Sequence, residues 1–228
     1  SGEREWFDSN GRLQKVLHAD GSVVTVTYPT STTVQVADNY GSHLVLTLDA
    51  SGRVISMVDP DNQTYHYAYT QSGNLEYVVY PDTTPGVAGS NPFGEDNSYR
   101  QYHYADANPA LVTSITDENG DLYKTITYDT AGRATSSGLS DGTVGQSTFD
   151  YTSIYDAVDP KVTVTNPLGK DTVYHLKRQF GVSNVKSVEA VASSNCLADV
   201  QSKEYYSENG WVKRIVDKAG STTYYEYY

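Results

Sequence analysis

The side chains able to do chemistry are spread along the chain without the spacing that chemistry requires. His18, His43, His66, His103 and His175 show none of the paired separations that a zinc site needs. His66 and His103 sit in matching contexts, "TYHYAY" and "QYHYAD", so a repeated strand position accounts for both. "DENGD" at 117–121 imitates the start of a calcium loop through Asp117, Asn119 and Asp121, but the twelfth position is Tyr128 rather than an acid. Cys196 is the single cysteine, which leaves no disulfide framework and no thiolate cage. There is no Gly-x-Ser-x-Gly elbow, no phosphate loop and no Cys–His signature. Two aspartates meeting across strands would suit glycoside hydrolysis, yet most sit at turns, where such side chains cap backbone groups. The expectation is a non-enzyme with no catalytic residue, no metal and no cofactor.

Two residue sets remain. Arg12, Arg53 and Arg133 each follow a glycine directly, and there are 21 tyrosines. The arginines can bond turn carbonyls, the acid of a neighbouring unit or a ligand. The tyrosines can pack a sheet or stack on sugar rings, with Tyr65 and Tyr67 the candidates for ligand contact.

The elements that position these residues repeat. With glycine as zero, Gly11 has Phe7 at −4, Gly21 at +10 and Tyr28 at +17. Gly52 has Leu48, Asn62 and Tyr69 at the same offsets, and Gly132 has Tyr128, Gly142 and Phe149. Gly210 has Tyr206, Gly220 and Tyr227. Tyr69 also lies four before Gly73, so one unit's closing aromatic opens the next and the period is 21 residues. Asn-Gly and Asp-Gly favour tight hairpin turns, because both central residues can adopt positive φ cheaply. Between turns the residues alternate. Val24, Val26 and Tyr28 share one face, as do Tyr65, Tyr67 and Tyr69, with Thr25, Thr27, Thr64 and His66 opposite. No stretch reads as a helix. A lone hairpin is marginal in water, so the units must lean on one another.

The fold class expected is all-β, tandem antiparallel hairpins forming one continuous curved strip over residues 1–228. Residues 83–98, rich in Gly, Pro and Asn, form an irregular loop insertion with Phe93 at its tip. Residues 29–47 add a strand pair with a turn near 39–41. Residues 186–204, around Cys196, are degenerate and read as loop plus one irregular strand.

Bulk properties narrow the function. A net charge of −12 argues against nucleic acid, which is held by Lys and Arg. No apolar run approaches the roughly 20 residues that span a bilayer, so no membrane insertion is expected.

The unit of aromatic, acid, glycine, arginine and apolar residue resembles the RHS, or YD, repeat family. "YDTAGRA" at 128–134 is the nearest match, followed by "LDASGRV" at 48–54 and "FDSNGRL" at 7–13. "YTQSGNL" and "YYSENGWV" are divergent copies, and "TNPLGKDTVYHL" at 165–176 is similar to a second half-unit. The repeat-defining residues on this reading are Gly11, Gly52, Gly73, Gly132 and Gly210, with Tyr28, Tyr69, Tyr128, Tyr206, Tyr227 and the three arginines. The resemblance implies a hairpin strip that winds into a hollow shell in full-length relatives. In bacterial toxins that shell encloses a C-terminal toxin domain, and animal teneurins use a similar barrel at the cell surface. It implies a secreted or cell-surface location and flanking repeats as partners. The family's self-cleaving motif has no counterpart at "NPLGK", 166–170. The chain is therefore expected to be a segment of a larger protein or a short open strip. Its function is expected to be structural. The alternatives are a glycan- or protein-binding module using the tyrosine face or Phe93, and self-assembly by edge-strand pairing.

Overall fold

The computed structural model describes residues 2–105, 107–192 and 197–227. These residues contain no helix and fall into two compact units, 1–121 and 122–228. The expectation of an all-β chain of tandem antiparallel hairpins is met in both.

The first unit runs β1 (Arg4–Phe7), β2 (Leu13–Leu17), β3 (Val23–Thr30), β4 (Thr33–Asp38), β5 (His43–Leu48), β6 (Val54–Val58), β7 (Thr64–Tyr69), β8 (Leu75–Val79), β9 (Tyr99–Ala105) and β10 (Asn108–Thr116). Each strand pairs antiparallel with the next. The second unit runs β11 (Leu122–Tyr128), β12 (Ala134–Leu139), β13 (Val144–Asp150), β14 (Lys161–Thr165), β15 (Asp171–Gln179), β16 (Val182–Ala190), β17 (Asp199–Tyr205), β18 (Val212–Val216) and β19 (Thr222–Tyr224), again paired in sequence.

Register places the alternating residues as the pattern requires. Across the first unit Val26 faces Val36, Val34 faces Leu46, Leu46 faces Met57 and Met57 faces Tyr65, giving one apolar face. Thr27, Gln35 and Val45 lie on the other, more polar face. Because each sheet is one layer, few side chains are fully enclosed. Val16, Val26, Val79, Ala190 and Tyr205 are the buried hydrophobic residues among those described. Stability must come from many half-buried cross-strand pairs, each worth roughly 0.2–1 kcal/mol.

The turns at Gly11, Gly52 and Gly132 use the left-handed region at one position only. Positive φ falls on the glycine and not on the residue before it: Gly11 is at +77°, while Asn10 is not among the residues with positive φ. The reason is the turn's length. Gly11 N–H donates to Asp8 O, and Asp8 N–H donates to Arg12 O, so the turn opens at position −3 and only its last residue needs the left-handed region. Gly52 and Gly132 repeat both bonds. Position +10 is left-handed in all four copies, including Asn62 at +61°.

A bulge accompanies the turns at Gly11, Gly52, Gly73 and Gly132. Register shifts at Phe7, Leu48, Tyr69 and Tyr128, the −4 aromatic or apolar residue, which in every case pairs with position +2. Such bulges bend and twist the strand locally.

Strands also reach into 186–204 from both ends, since β16 extends to Ala190 and β17 begins at Asp199 with four paired positions between them. The expectation of loop plus one irregular strand is corrected accordingly: Ser187, Val188 and Glu189 keep enough alternation to hold the ladder. Cys196 lies outside the described residues. A second irregular segment, 151–160, was not anticipated.

Candidate functional site

The arginines after glycine are held by their own turn. Asp8 Oδ1 accepts the backbone N–H of Asn10 (2.8 Å) and Arg12 (2.9 Å), while Asp8 Oδ2 receives Arg12 Nε at 2.8 Å. Asp49 binds Ser51, Arg53 N–H and Arg53 Nε in the same way, and Asp129 binds Ala131, Arg133 N–H and Arg133 Nε. The partner is neither a turn carbonyl nor a neighbouring unit's acid, the two bonds expected first, but the aspartate at −3, four residues away on the same turn. These carboxyls sit below their ordinary pKa, chiefly because the backbone N–H after the glycine donates to them and then because the guanidinium does.

The anchored guanidinium then lies over an aromatic ring. Arg12 Cζ is 4.3 Å from the Tyr28 ring centre and Arg53 Cζ is 4.6 Å from that of Tyr69, both within cation–π range. The same tyrosines tie their hydroxyls back to the carbonyl at +2, Tyr28 to Leu13 O (3.0 Å) and Tyr69 to Val54 O (2.6 Å). A Cβ at Gly73 would only touch the Arg53 guanidinium, at 3.4 Å, so it is the φ of +86° that favours glycine there.

In the third copy the ring moves. Arg133 covers Tyr151 at 4.8 Å rather than Phe149. Position +4 pairs with +14 in the other copies (Lys15 with Thr25, Ser56 with His66, Arg214 with Tyr224) but with +16 here (Ser136 with Thr148). Two additional residues in the hairpin carry the covered ring from +17 to +19. In the fourth copy both charges are absent: Ser207 stands at −3, and Trp211 replaces arginine and packs on Tyr227 at 4.9 Å. Tyr206 completes that cluster, 6.4 Å from Tyr227, with its hydroxyl on Tyr225 O. Tyr128 is half-buried beside its turn, and burial raises its pKa.

Tyr65 and Tyr67, the proposed ligand contacts, are half-buried and engaged within the sheet. Tyr65 meets Tyr80 edge-on at 6.2 Å, and Tyr67 O–H points at Met57 Sδ at 3.9 Å. Phe93 packs against His66, ring centres 4.9 Å apart, so the 83–98 loop folds back over β7. Asn91, buried at the loop's centre, accepts the N–H groups of Phe93 and Glu95 and donates to Asn97 Oδ1, whose own amide reaches Tyr80 O. A Cβ at Gly89 would lie 2.3 Å from Glu95 O, so the loop closes only with glycine there. A hollow of about 300 Å³ beneath it is lined by Asn62, His66, Glu95 and Asn97.

Other chemistry-bearing residues serve local structure. Asp117 accepts the N–H of Asn119 and Asp121, forming a turn rather than a calcium loop. His103 bonds Thr116, and His175 lies between Asp159 (2.8 Å) and Glu189 (3.5 Å). Among the described residues no group of three or more His, Cys, Asp or Glu is placed to hold a metal.

This geometry defines a β-hairpin repeat protein whose turns are closed by an aspartate–arginine–aromatic clamp. Residues 49–85 match the family model of the RHS repeat, the family whose motif the sequence resembles, and that span contains the Asp49–Arg53–Tyr69 clamp. No curated protein matches the chain. Similar solved structures include TcdB2-TccC3-TEV, at 14% identity and TM-score 0.48 over 94% of this chain. TcdB2-TccC3-Cdc42 follows at 14% and 0.44 over 93%, and a porin-like protein from Bacteroides uniformis at 11% and 0.23 over 98%. The chain spans 11% and 13% of the two TcdB2-TccC3 chains and 86% of the porin-like one.

Proposed function

We propose that this chain is a non-catalytic scaffold, a length of RHS-repeat wall belonging to a larger secreted or cell-surface bacterial protein. Flanking repeats are its immediate partners, and an enclosed toxin domain is the cargo such a wall serves. One observation carries the reading: the aspartate–arginine pair recurs at constant offsets inside and outside residues 49–85, with an aromatic ring under the guanidinium at +17 or +19, so the charged groups serve to close turns. Groups spent on backbone N–H and on one another are unavailable for proton transfer. The glycan-adhesion alternative finds less support, because Tyr65, Tyr67 and Phe93 are occupied by neighbours of their own sheet.

Deletion tests the proposal. Removing residues 52–72 brings Gly73 into the place of Gly52 and keeps register, so cooperative unfolding by circular dichroism should persist. Removing 52–61 destroys one turn and strands the next, and should abolish it. Equal damage from both deletions would overturn the repeat-wall reading.

A further inference from the structure

Charge is divided unevenly along this chain. Residues 1–121 hold 5 Lys and Arg against 16 Asp and Glu, a net −11, whereas residues 122–228 hold 11 against 12, a net −1. Five of those eleven cations, Lys177, Arg178, Lys186, Lys203 and Arg214, line one groove of about 790 Å³ between the 151–160 segment and strands β15–β18. That volume falls in the range, roughly 300–1,000 Å³, of pockets that enclose many-atom ligands rather than single ions.

The two carboxylates in the lining leave much of this charge unmatched. Glu204 is taken by Arg214 (3.2 Å) and by Lys213, which lies outside the lining (3.1 Å). Asp156 is spent on the backbone N–H groups of Val158 and Asp159, at 2.8 Å each. Arg178 braces the overhanging segment, donating to Ile154 O at 2.9 Å and lying 4.8 Å from the Tyr155 ring. Lys186 and Lys203 have no ion pair among the described residues. Lys186 is exposed and sits in the bulge where Leu176 pairs with Val185 but His175 pairs with Ser187, a device that redirects a side chain off the regular ladder.

Apolar groups stand open among the cations. Val158 is 92% exposed, Tyr155 73% and Val200 50%. A groove that offers cations and bare apolar side chains together is complementary to a ligand carrying carboxylates and apolar groups in close alternation. An extended peptide provides that, since successive side chains point to opposite faces at about 3.3 Å per residue. We propose that this groove binds an acidic, partly apolar peptide segment in extended form.

The test uses the whole chain and a fluorescein-labelled (Glu-Val)4 peptide, followed by fluorescence anisotropy. Binding should weaken steeply as salt rises from about 50 to about 500 mM. Lys186→Glu with Lys203→Glu should weaken it about tenfold or more, whereas Lys124→Glu with Lys170→Glu, the same charge change outside the groove, should leave it within about twofold. If the reversed pair fails to fold by circular dichroism, Lys186→Gln with Lys203→Gln should still cost about threefold. The proposal is overturned by no binding to the unmodified chain, equal binding of (Lys-Val)4, or equal losses from the groove and control pairs. Tighter binding of a single-stranded oligonucleotide would also overturn it.

Discussion

Tyr67 and Tyr69 lie two residues apart on one face of β7, and removing their hydroxyls should have unequal consequences. Tyr69 O–H donates to Val54 O at 2.6 Å, closing the clamp of the second copy. Among the described residues Tyr67 O–H meets Met57 Sδ, at 3.9 Å, and a thioether is a weak acceptor. Both phenols have their pKa raised chiefly by burial, and phenylalanine at either position keeps the ring, so Arg53 over Tyr69 is retained and the comparison isolates the hydroxyl's acceptor. Tyr69→Phe keeps the ring beneath Arg53 and loses one hydrogen bond to a carbonyl, a cost of about 1 kcal/mol. For a chain of this size that is a fall in Tm of about 2–4 °C. Tyr67→Phe should stay within about 0.5 kcal/mol of the unmodified chain. Urea unfolding followed by circular dichroism measures both, with unchanged slope required for the comparison. If Tyr67→Phe costs as much as Tyr69→Phe, the hydroxyl tie to position +2 is not what fastens the hairpin, and the clamp argument fails.

Acid should loosen the turns selectively. Asp8, Asp49 and Asp129 have folded pKa values below the usual 3.8, so the unfolded chain binds more protons at low pH. Their stabilisation is therefore complete above that value and lost as pH falls through the folded one. An Asp49→Asn, Asp129→Asn variant should lose stability less steeply below about pH 4 than the unmodified chain, measured as unfolding midpoint against pH. Gly89→Ala should open the 83–98 loop, because its Cβ would collide with Glu95 O, and limited proteolysis should then cut within 83–98 where the unmodified chain resists. Gly52→Ala meets no neighbour and should cost only the left-handed strain at φ +78°, about 1–2 kcal/mol by urea unfolding.

The glycine ruler made the hairpins legible because a left-handed position and a period-two strand each leave a residue-type signature. The aspartate at −3 was equally visible in "FDSNGR", "LDASGR" and "YDTAGR". Its pairing with arginine was not legible, because spacing along a chain does not say whether a turn folds a side chain inward or offers it to turn carbonyls, a neighbour's acid or a ligand. The shift from Phe149 to Tyr151 was hidden for a related reason: hairpin loop length is set by strand pairing, and a ring two residues further on satisfies the same pattern. The 151–160 segment and its groove left no trace, since cations from four strands converge only through register. The 186–204 stretch lacked the ruler's glycine and aromatic pair, yet its ladder needs only alternation.

The fourth copy shows that the clamp has a neutral version. An indole against Tyr227 needs no carboxylate to orient it, and Ser207 stands where the charged copies have aspartate. The exchange reaches the backbone as well: Gly210 N–H donates to Tyr206 O and Tyr206 N–H to Trp211 O, so this turn opens at −4, one residue earlier than its charged counterparts. In this copy the loss of charge comes with a longer turn and a bulge moved to Tyr205, so local surface potential and local strand twist change together.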